Sequence, residues 1–256
     1  MKPLREMDTA GVDAVLLDID DTLTTQGKLT GAAYAALEAL HAGGKRVIPV
    51  TGRPAGWCDH IARMWPVDAV IGENGAFYFH SAHGRLQRRF WEADAARADK
   101  RARVRALEQS ILAAVPGCAL ASDQPYRETD LAIDYCEDVT PLPIAEAERI
   151  AALMRAAGLT ARVSSIHVNG WFGDYDKLAM ARTLFAERFG MDLAREQHKV
   201  VFVGDSPNDA SLFAFFDRSV GVANVKRFAS LGAAPKFVTP SESGDGFREL
   251  SAHLLK

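Results

Sequence analysis

The sequence lacks several features that would place it in a common class of protein. It has no long basic run and a net charge of −3, so the electrostatic footprint of a nucleic-acid binder is missing. It has no uninterrupted apolar run of about 18 residues, the length that a membrane-spanning helix needs. Its cysteines, Cys58, Cys118 and Cys136, show neither C-x-x-C nor Cys/His metal spacing. We therefore expect free thiols.

The rest of the composition is that of an ordinary globular protein. The chain has 256 residues, of which 48% are hydrophobic and 25% charged, and such a length can bury roughly three quarters of the unfolded surface. The first ten residues contain no apolar stretch, so we expect a cytoplasmic protein. We expect a monomer or small homo-oligomer without nucleic-acid or membrane partners.

Short apolar runs alternate with helical segments in both terminal parts of the chain. The predicted strands are Val12–Leu17, Val47–Val50, Ala69–Ile71, Lys199–Val203, Ser219–Val222 and Lys236–Val238. The predicted helices among them include Gly31–His41, which Thr30 can cap, and Tyr175–Phe189. This alternation predicts an α/β fold with a doubly wound, Rossmann-like parallel sheet.

The middle of the chain has a different pattern. Long helices are predicted over Glu92–Val115 and Ile144–Ala157, and half-buried strands over Leu131–Cys136 and Arg162–Asn169. Together they indicate an antiparallel sheet with helices on one face, an α+β cap domain inserted in the core. The predicted boundaries are 1–81 and 173–256 for the core and 82–172 for the cap domain.

Four polar clusters follow predicted core strands or begin a core helix. They are Asp18-Ile-Asp-Asp-Thr22, Thr51-Gly-Arg53, Lys177 and Gly204-Asp-Ser-Pro-Asn-Asp209. Sites in doubly wound sheets form outside the carboxyl ends of the strands. Each cluster alone is a weak signal, since an acidic pair after a strand is often a helix cap or a solvated loop. Their conjunction in this order points to one shared site.

These residues resemble the motifs of the haloacid dehalogenase-like (HAD) phosphatase superfamily. The matching positions are D-I-D-D-T-L at 18–23, Thr51, Lys177 and G-D-S-P-N-D at 204–209. More narrowly, the chain resembles the Cof-type and sucrose-phosphatase-like sugar-phosphate phosphatases, whose large α/β cap sits between the second and third motifs. The stretch G-E-N-G-A at 72–76 is a further feature of that branch. Asp21 stands where many relatives have glycine, and both residues occur.

Phosphate-ester chemistry explains why these residue types would be gathered. Asp18 is the candidate nucleophile, since a covalent intermediate divides one difficult displacement into two easier ones. A carboxylate that attacks an anionic phosphate needs cations, because two like charges 4 Å apart cost about 4 kcal/mol at an effective dielectric constant of 20. Mg²⁺ prefers carboxylate and phosphate oxygens, and Lys177 adds a positive charge that should pair with Asp18. Thr51 would donate hydroxyl and backbone hydrogen bonds to the phosphoryl oxygens, and Gly52 would let the backbone approach.

Asp20 is the candidate general acid and base. Two positions along an extended stretch, it emerges on the same side as Asp18, and we expect crowding by carboxylates to raise its pKa. The resemblance also implies that Asp20 gives its backbone carbonyl to the metal. The metal set is then Asp18, Asp20, Asp205 and Asp209, with Asp209 either a ligand or a partner of one.

Substrate-binding candidates come from the core loops and from the cap. In the core they are Gly52, Arg53, Asn74 and Asn208, with Arg53 equally a surface residue and Asn208 expected to order its loop. In the cap, alternation along the predicted strands leaves Asp134, His167 and Asn169 on the face away from the helices. We expect these three side chains to face Asp18 and to hydrogen-bond sugar hydroxyls; the alternative is that they are solvent-facing strand residues.

The sequence therefore predicts a Mg²⁺-dependent phosphomonoester hydrolase that acts through an aspartyl-phosphate. A large cap favours a small phosphorylated metabolite, such as a sugar or polyol phosphate, over bulky partners. A phosphomutase shares Asp18 and Asp20 and remains an alternative. So does a non-catalytic, regulatory member that binds sugar phosphates. A receiver-type signalling module also holds an aspartyl-phosphate, but it lacks D-x-D and a ninety-residue insert.

Overall fold

The computed structural model describes residues 1–228 and 232–256. The strands are β1 (Lys2–Pro3), β2 (Ala14–Leu17), β3 (Arg46–Pro49), β4 (Val70–Gly72), β5 (Phe77–Ala82), β6 (Arg85–Phe90), β7 (Ala119–Leu120), β8 (Leu131–Asp134), β9 (Thr160–Val163), β10 (His167–Trp171), β11 (Val200–Gly204), β12 (Ser219–Gly221) and β13 (Phe237–Val238). The helices are α1 (Gly31–Ala42), α2 (Ala55–Met64), α3 (Asp94–Ala114), α4 (Ile144–Ala156), α5 (Lys177–Phe189), α6 (Leu193–Glu196), α7 (Ala210–Phe215) and α8 (Ser243–Leu254). None of the helices in these ranges is long and apolar enough to cross a membrane.

The central sheet of the core is parallel, with the strand order β1-β13-β12-β11-β2-β3. Strands β2 and β11 are buried at every position, which is why they are continuous apolar runs in the sequence. Leu16 and Phe202 face a cluster that includes residues of α5 and α7. Val15 and Val201 face the opposite cluster, built with α1 and α8. Helices thus cover both faces of the sheet, and the predicted doubly wound fold is confirmed.

A second, antiparallel sheet continues the core beyond β3. Val50 and Ile71 form a parallel bridge next to β3 and β4, and β4, β5 and β6 then pair antiparallel. The β5–β6 hairpin contains the predicted domain boundary at residue 82, yet it pairs with the core strand β4 and packs Phe79 and Phe90 beside α2. Where the inserted unit begins and ends stays a prediction.

We call the layer formed by α3, α4 and the antiparallel sheet β7-β8-β10-β9 the cap. Ile133 and Val168 are paired across β8 and β10 and lie in one apolar cluster with Ile111 of α3 and Ile150 of α4. Because successive residues of a strand point to opposite faces, the neighbouring positions of β8 and β10 face away from these helices. The expected α+β cap is therefore present.

One predicted strand is wrong. Residues 162–169 form the end of β9, a turn over Ser164–Ile166 and the start of β10, not one strand. Ser164 closes the turn, since its N–H donates to the His167 carbonyl at 2.8 Å and its Oγ accepts from the His167 N–H at 3.0 Å. Val163 consequently pairs with Val168 and lies in the helix-side cluster, whereas unbroken alternation had placed it with His167.

Gly75 occupies a position that excludes any side chain. Its φ is +109°, and a Cβ there would lie 2.1 Å from the carbonyl oxygen of Asp176, the residue whose carboxylate accepts from the Ala179 N–H at the start of α5. Backbone strain and overpacking should therefore combine in Gly75→Ala. We expect the free energy of unfolding to fall by about 2–5 kcal/mol, measured by chemical denaturation.

Gly84 provides the matched control for this substitution. Its φ is +70°, but a Cβ there would have nothing within 4 Å. Gly84→Ala should therefore cost only about 1–2 kcal/mol, the price of the left-handed conformation. Equal losses in the two variants would contradict the contact with Asp176.

Candidate active site

A buried ion triple joins three of the predicted motifs. Asp18 directly follows β2, and its N–H donates to the Val203 carbonyl of β11 at 2.9 Å. Lys177 is the first residue of α5, and its Nζ donates to Asp18 Oδ1 at 2.8 Å and to Asp209 Oδ1 at 2.7 Å. The exposed fractions are 4% for Asp18, 1% for Lys177 and 0% for Asp209. Residues separated by more than 150 positions are thus in direct contact.

Asp205 brings a third carboxylate to the same place. Oxygens of Asp18, Asp205 and Asp209 all lie within 4.8 Å of one another. Thr22 Oγ1 and Asn224 Nδ2 each donate to Asp205 at 3.3 Å, to Oδ1 and Oδ2 respectively. These long hydrogen bonds orient the carboxylate without saturating it.

Burial sets the electrostatics of this group. Loss of hydration, together with the charges of Asp209 and Asp20, raises the pKa of Asp18 to about 8, although Lys177 acts in the opposite direction. Burial and the charges of Asp18 and Asp209 likewise hold the pKa of Asp205 well above its usual range. Burial alone would lower the pKa of Lys177, but Asp18 and Asp209 outweigh it and raise that pKa. One ammonium does not compensate three buried carboxylates.

The donor set fits a divalent metal ion. When ionised, the three carboxylates and Lys177 sum to a charge of −2, which a divalent cation neutralises. All the side-chain ligands gathered here are hard carboxylate oxygens, the kind that Mg²⁺ binds in preference to nitrogen or sulfur. Asp18 and Asp205 have oxygens without a short hydrogen bond and are the better placed ligands.

Asp209 is held mainly by the protein itself. Its Oδ1 accepts from Lys177, and its Oδ2 accepts from the N–H groups of Asp205 and Ser206 at 3.2 and 3.4 Å. A Cβ at Gly204 would lie 2.2 Å from Oδ2, so glycine is required there. The sequence left open whether Asp209 is a metal ligand or the partner of one. This geometry favours the second role, in which Asp209 positions Lys177 and the loop of Asp205.

Asp20 lies beside a cation, not among carboxylates alone. Arg53 Nε lies 3.0 Å from both carboxylate oxygens of Asp20, and Nη2 lies 2.8 Å from Oδ1. Arg53 also donates to Glu137 of the cap, with Nη2 at 2.6 Å from Oε1, and stacks 4.4 Å from the ring centre of Trp57. Asp20 was expected to have only acidic neighbours, and this pair was not foreseen. Arg53 is 4% exposed and is not a surface residue.

The Thr51 loop differs from expectation in one donor. The Thr51 N–H donates to the Ile71 carbonyl at 2.9 Å, and its hydroxyl accepts from the Arg53 N–H at 3.1 Å. The Thr51 N–H is therefore already used within the protein, while the hydroxyl proton remains available; that this loop binds a phosphoryl group stays a prediction. Gly52 follows, and a Cβ there would lie 3.2 Å from Nδ2 of Asn74.

Asn74 and Asn208 are both placed next to the centre. Asn74 has a left-handed backbone with φ of +55°, which is uncommon outside glycine. Neither polar atom of its buried amide has a hydrogen-bond partner within the described ranges. Asn208 Oδ1 accepts from Ser206 Oγ at 2.7 Å, which orders its loop.

The cap closes over these residues. The remaining cavity is about 10 Å³ and is lined from the core by Asp18, Asp20, Gly52, Arg53 and Asn208, and from the cap by Ser164, Ser165, Ile166, His167 and Asn169. That is roughly the room that one water molecule needs. His167 is 2% exposed, and its Nε2 lies 2.9 Å from Glu137 Oε2. Two of the three predicted cap residues thus meet the core site.

Asp134 does not face Asp18, and this prediction needs correction. Its Oδ1 accepts from the N–H groups of Cys136 and Glu137 at 2.9 and 2.7 Å, and its Oδ2 accepts from that of Asp138 at 2.8 Å. The carboxylate ends β8 by capping the following turn. Its contribution to the site is indirect, because that turn carries Glu137.

The residues that attach the cap to the core were not among the sequence predictions. Glu73 is fully buried with φ of +43°, and its Oε2 accepts from the N–H and hydroxyl of Thr129 at 2.7 and 2.5 Å. Arg127 Nη1 donates to the Gly52 carbonyl at 2.8 Å and pairs with Asp130 at 3.0 Å. Glu73 is the acidic residue of the G-E-N-G-A stretch, which the sequence had already singled out. Asn224 could have been found as a polar residue just after β12.

The amino-terminal part of the chain matches a known family. Residues 15–97 match the model of the haloacid dehalogenase-like hydrolases. Over these residues the chain is similar to the haloacid dehalogenase-like hydrolases. The predicted resemblance is thereby confirmed, and with it the expectation of a hydrolytic enzyme. No curated protein matches the sequence.

Solved structures resemble this chain over nearly its whole length. A Thermoplasma acidophilum protein is 16% identical with a TM-score of 0.71, covering 96% of this chain and 99% of its own. A HAD/COF-like hydrolase from Plasmodium vivax is 17% identical with a TM-score of 0.70, covering 96% of both chains. A HAD subclass IIB sugar phosphatase is 16% identical with a TM-score of 0.62, covering 94% of this chain and 98% of its own. At these identities the likeness shows the fold of core and cap.

The raised pKa of Asp18 predicts how stability depends on pH without metal. Between its ordinary value of 3.8 and about 8, the folded state binds the proton that the unfolded state has released. Stability should therefore fall as pH rises through this window, by at most about 1.4 kcal/mol per pH unit for one proton. Denaturation in EDTA at pH 5 to 8 should show this slope in the wild type and a smaller one in Asp18→Asn. Stability that rises over this window by the same amount in both proteins would contradict the shift.

Proposed function

We propose that this HAD-like hydrolase is a Mg²⁺-dependent phosphomonoesterase that acts through an aspartyl-phosphate on Asp18. The observation that carries the proposal is the buried contact of Lys177 with Asp18 and Asp209, beside Asp205 and beneath a closed cap. One structural neighbour is described as a sugar phosphatase, which supports a small sugar or polyol phosphate as substrate. The cytoplasmic location stays an expectation.

Two displacements on phosphorus complete the proposed reaction. In the first, a carboxylate oxygen of Asp18 bonds to phosphorus while the bond to the leaving oxygen breaks, and Asp20 gives that oxygen a proton. In the second, Asp20 takes a proton from water, whose oxygen attacks phosphorus and releases Asp18. Lys177 holds Asp18 in orientation through Oδ1. A bound Mg²⁺, held by Asp18, Asp205 and the backbone of Asp20, would offset the negative charge of the reacting groups.

The ion pair between Arg53 and Asp20 suggests how substrate binding would free Asp20 for proton transfer. The guanidinium binds both oxygens of Asp20, and this pairing disfavours protonation of the carboxylate. A phosphoryl group next to Asp18 lies within reach of the same guanidinium, because both side chains line one cavity. We infer that the substrate competes with Asp20 for Arg53 and thereby frees the acid.

The first test is phosphate release from a panel of phosphorylated sugars and polyols and from p-nitrophenyl phosphate. Turnover should require Mg²⁺ and disappear with EDTA, and Asp205→Ala should raise the Mg²⁺ concentration that is needed. Asp18→Asn should reduce turnover by at least about 10³-fold while retaining the wild-type far-UV circular dichroism. Full activity in chelated protein would refute the metal, and activity of Asp18→Asn within tenfold of wild type would refute the nucleophile.

The same assay separates the two alternatives. A phosphomutase would convert a sugar phosphate into its isomer without sustained release of phosphate, and a regulatory binding protein would release none. Continuous release over many turnovers would leave the hydrolase as the remaining function.

Asp20→Asn tests the acid role separately. The amide does not donate a proton as an acid does, so turnover of a sugar phosphate should fall by about 10²–10⁴-fold. The loss should be much smaller for p-nitrophenyl phosphate, whose leaving group needs little protonation. Equal losses for the two substrates, measured as kcat, would argue that Asp20 has another task.

A further inference from the structure

A second, larger opening adjoins the closed cavity on the side of Asp20. This cleft has a volume of about 440 Å³ and lies where the cap meets the core. Asp20 and Arg53 of the core and Ser165 and Ile166 of the cap turn line both the cleft and the small cavity over Asp18. If Asp20 protonates the leaving oxygen, the leaving group extends from phosphorus past Asp20 into this cleft.

The charges that line the cleft are mainly negative. Its carboxylates are Asp20, Asp21, Glu137 and Asp138, and its cations among the described residues are Arg53 and Lys28. Arg53 is already engaged by Asp20 and Glu137, and Lys28 is exposed to solvent. A carboxylate on the leaving group would therefore meet an excess of negative charge. The buried cation is already paired, and the remaining cation, Lys28, is exposed to water, which weakens its attraction.

Glu137 is the cap residue best placed to impose this charge. Its side chain is 26% exposed, with Oε1 at 2.6 Å from Arg53 Nη2 and Oε2 at 2.9 Å from His167 Nε2. Burial alone would raise its pKa, but His167 and Arg53 lower it to about 2, so the side chain is ionised at neutral pH. The turn that carries it is fixed by Asp134 through three backbone N–H groups.

We propose that Glu137 is a specificity-determining residue that admits uncharged, hydroxyl-bearing leaving groups and rejects carboxylate-bearing ones. The inference rests on the proposed function and narrows its substrate class from phosphate monoesters in general to polyol or sugar phosphates without an acid group. Glu137 acts in two ways at once. It adds a negative charge to the cleft, and it occupies the guanidinium that would otherwise bind a substrate carboxylate.

Two small phosphates that differ in one group provide matched probes. Glycerol 3-phosphate ends in a hydroxymethyl group where 3-phosphoglycerate has a carboxylate. Both are used as competitors of Mg²⁺-dependent p-nitrophenyl phosphate turnover, and the ratio of their inhibition constants is the readout. In the wild type we expect glycerol 3-phosphate to bind at least about tenfold more tightly than 3-phosphoglycerate.

Glu137→Gln removes the charge and keeps the shape. In this variant 3-phosphoglycerate should bind about 10–100-fold more tightly than in the wild type, while glycerol 3-phosphate changes about threefold or less. The control is Glu148→Gln, which neutralises an exposed carboxylate of α4 that does not line the cleft. It should leave the ratio unchanged. Thermal melting of both variants checks that the cap remains folded.

The outcomes separate this inference from the proposed function. If the wild type does not turn over p-nitrophenyl phosphate with Mg²⁺, the proposed function has failed and this inference with it. If turnover occurs but the two probes inhibit equally, or glycerol 3-phosphate does not inhibit, only the inference is overturned. A ratio that is unchanged by Glu137→Gln, or altered as much by Glu148→Gln, overturns it as well.

Discussion

The contact of Lys177 with Asp18 and Asp209 is the constraint on which the rest of the site depends. Breaking a buried ion pair by removing one partner typically costs about 3–5 kcal/mol, because the remaining charge is left without compensation. Asp18 ends β2, Lys177 begins α5 and Asp209 lies in the loop after β11. These three elements must therefore keep the relative positions that allow both contacts. The glycines at 75 and 204 serve this arrangement, since a Cβ at either position would collide with a group next to it.

The cap contributes a second layer of charge above this triple. Arg53 belongs to the core but divides its hydrogen bonds between Asp20 of the core and Glu137 of the cap. The guanidinium of Arg53 is thus hydrogen-bonded both to the candidate acid, Asp20, and to the cap. A substrate that displaces Arg53 from Asp20 would also disturb its contact with Glu137, which would couple the position of the cap to proton transfer by Asp20.

The sequence predicted the core well because its signals are local. Strands such as β2 and β11 are unbroken apolar runs, and the residues that follow them carry the chemistry. The β9–β10 hairpin was missed because Ser164–Ile166 contains no glycine, proline or asparagine and the apolar alternation continues through it. Glu137 was missed for another reason. Its partner Arg53 is 84 residues away, and no local pattern tells which acidic residue of a turn will meet a distant cation.

The fastening at Glu73 has a geometric consequence for substrate entry. Its carboxylate accepts from Ala55 of the core and from Glu128, Thr129 and Asp130 of the cap, which forms one fixed edge. At the cleft, the Arg53–Glu137 ion pair joins core and cap. A layer held along one edge opens by rotation about that edge, so the widest gap forms at the far side. An incoming molecule would then pass the acidic cleft before it reaches Asp18, and ionic strength should influence its rate of association.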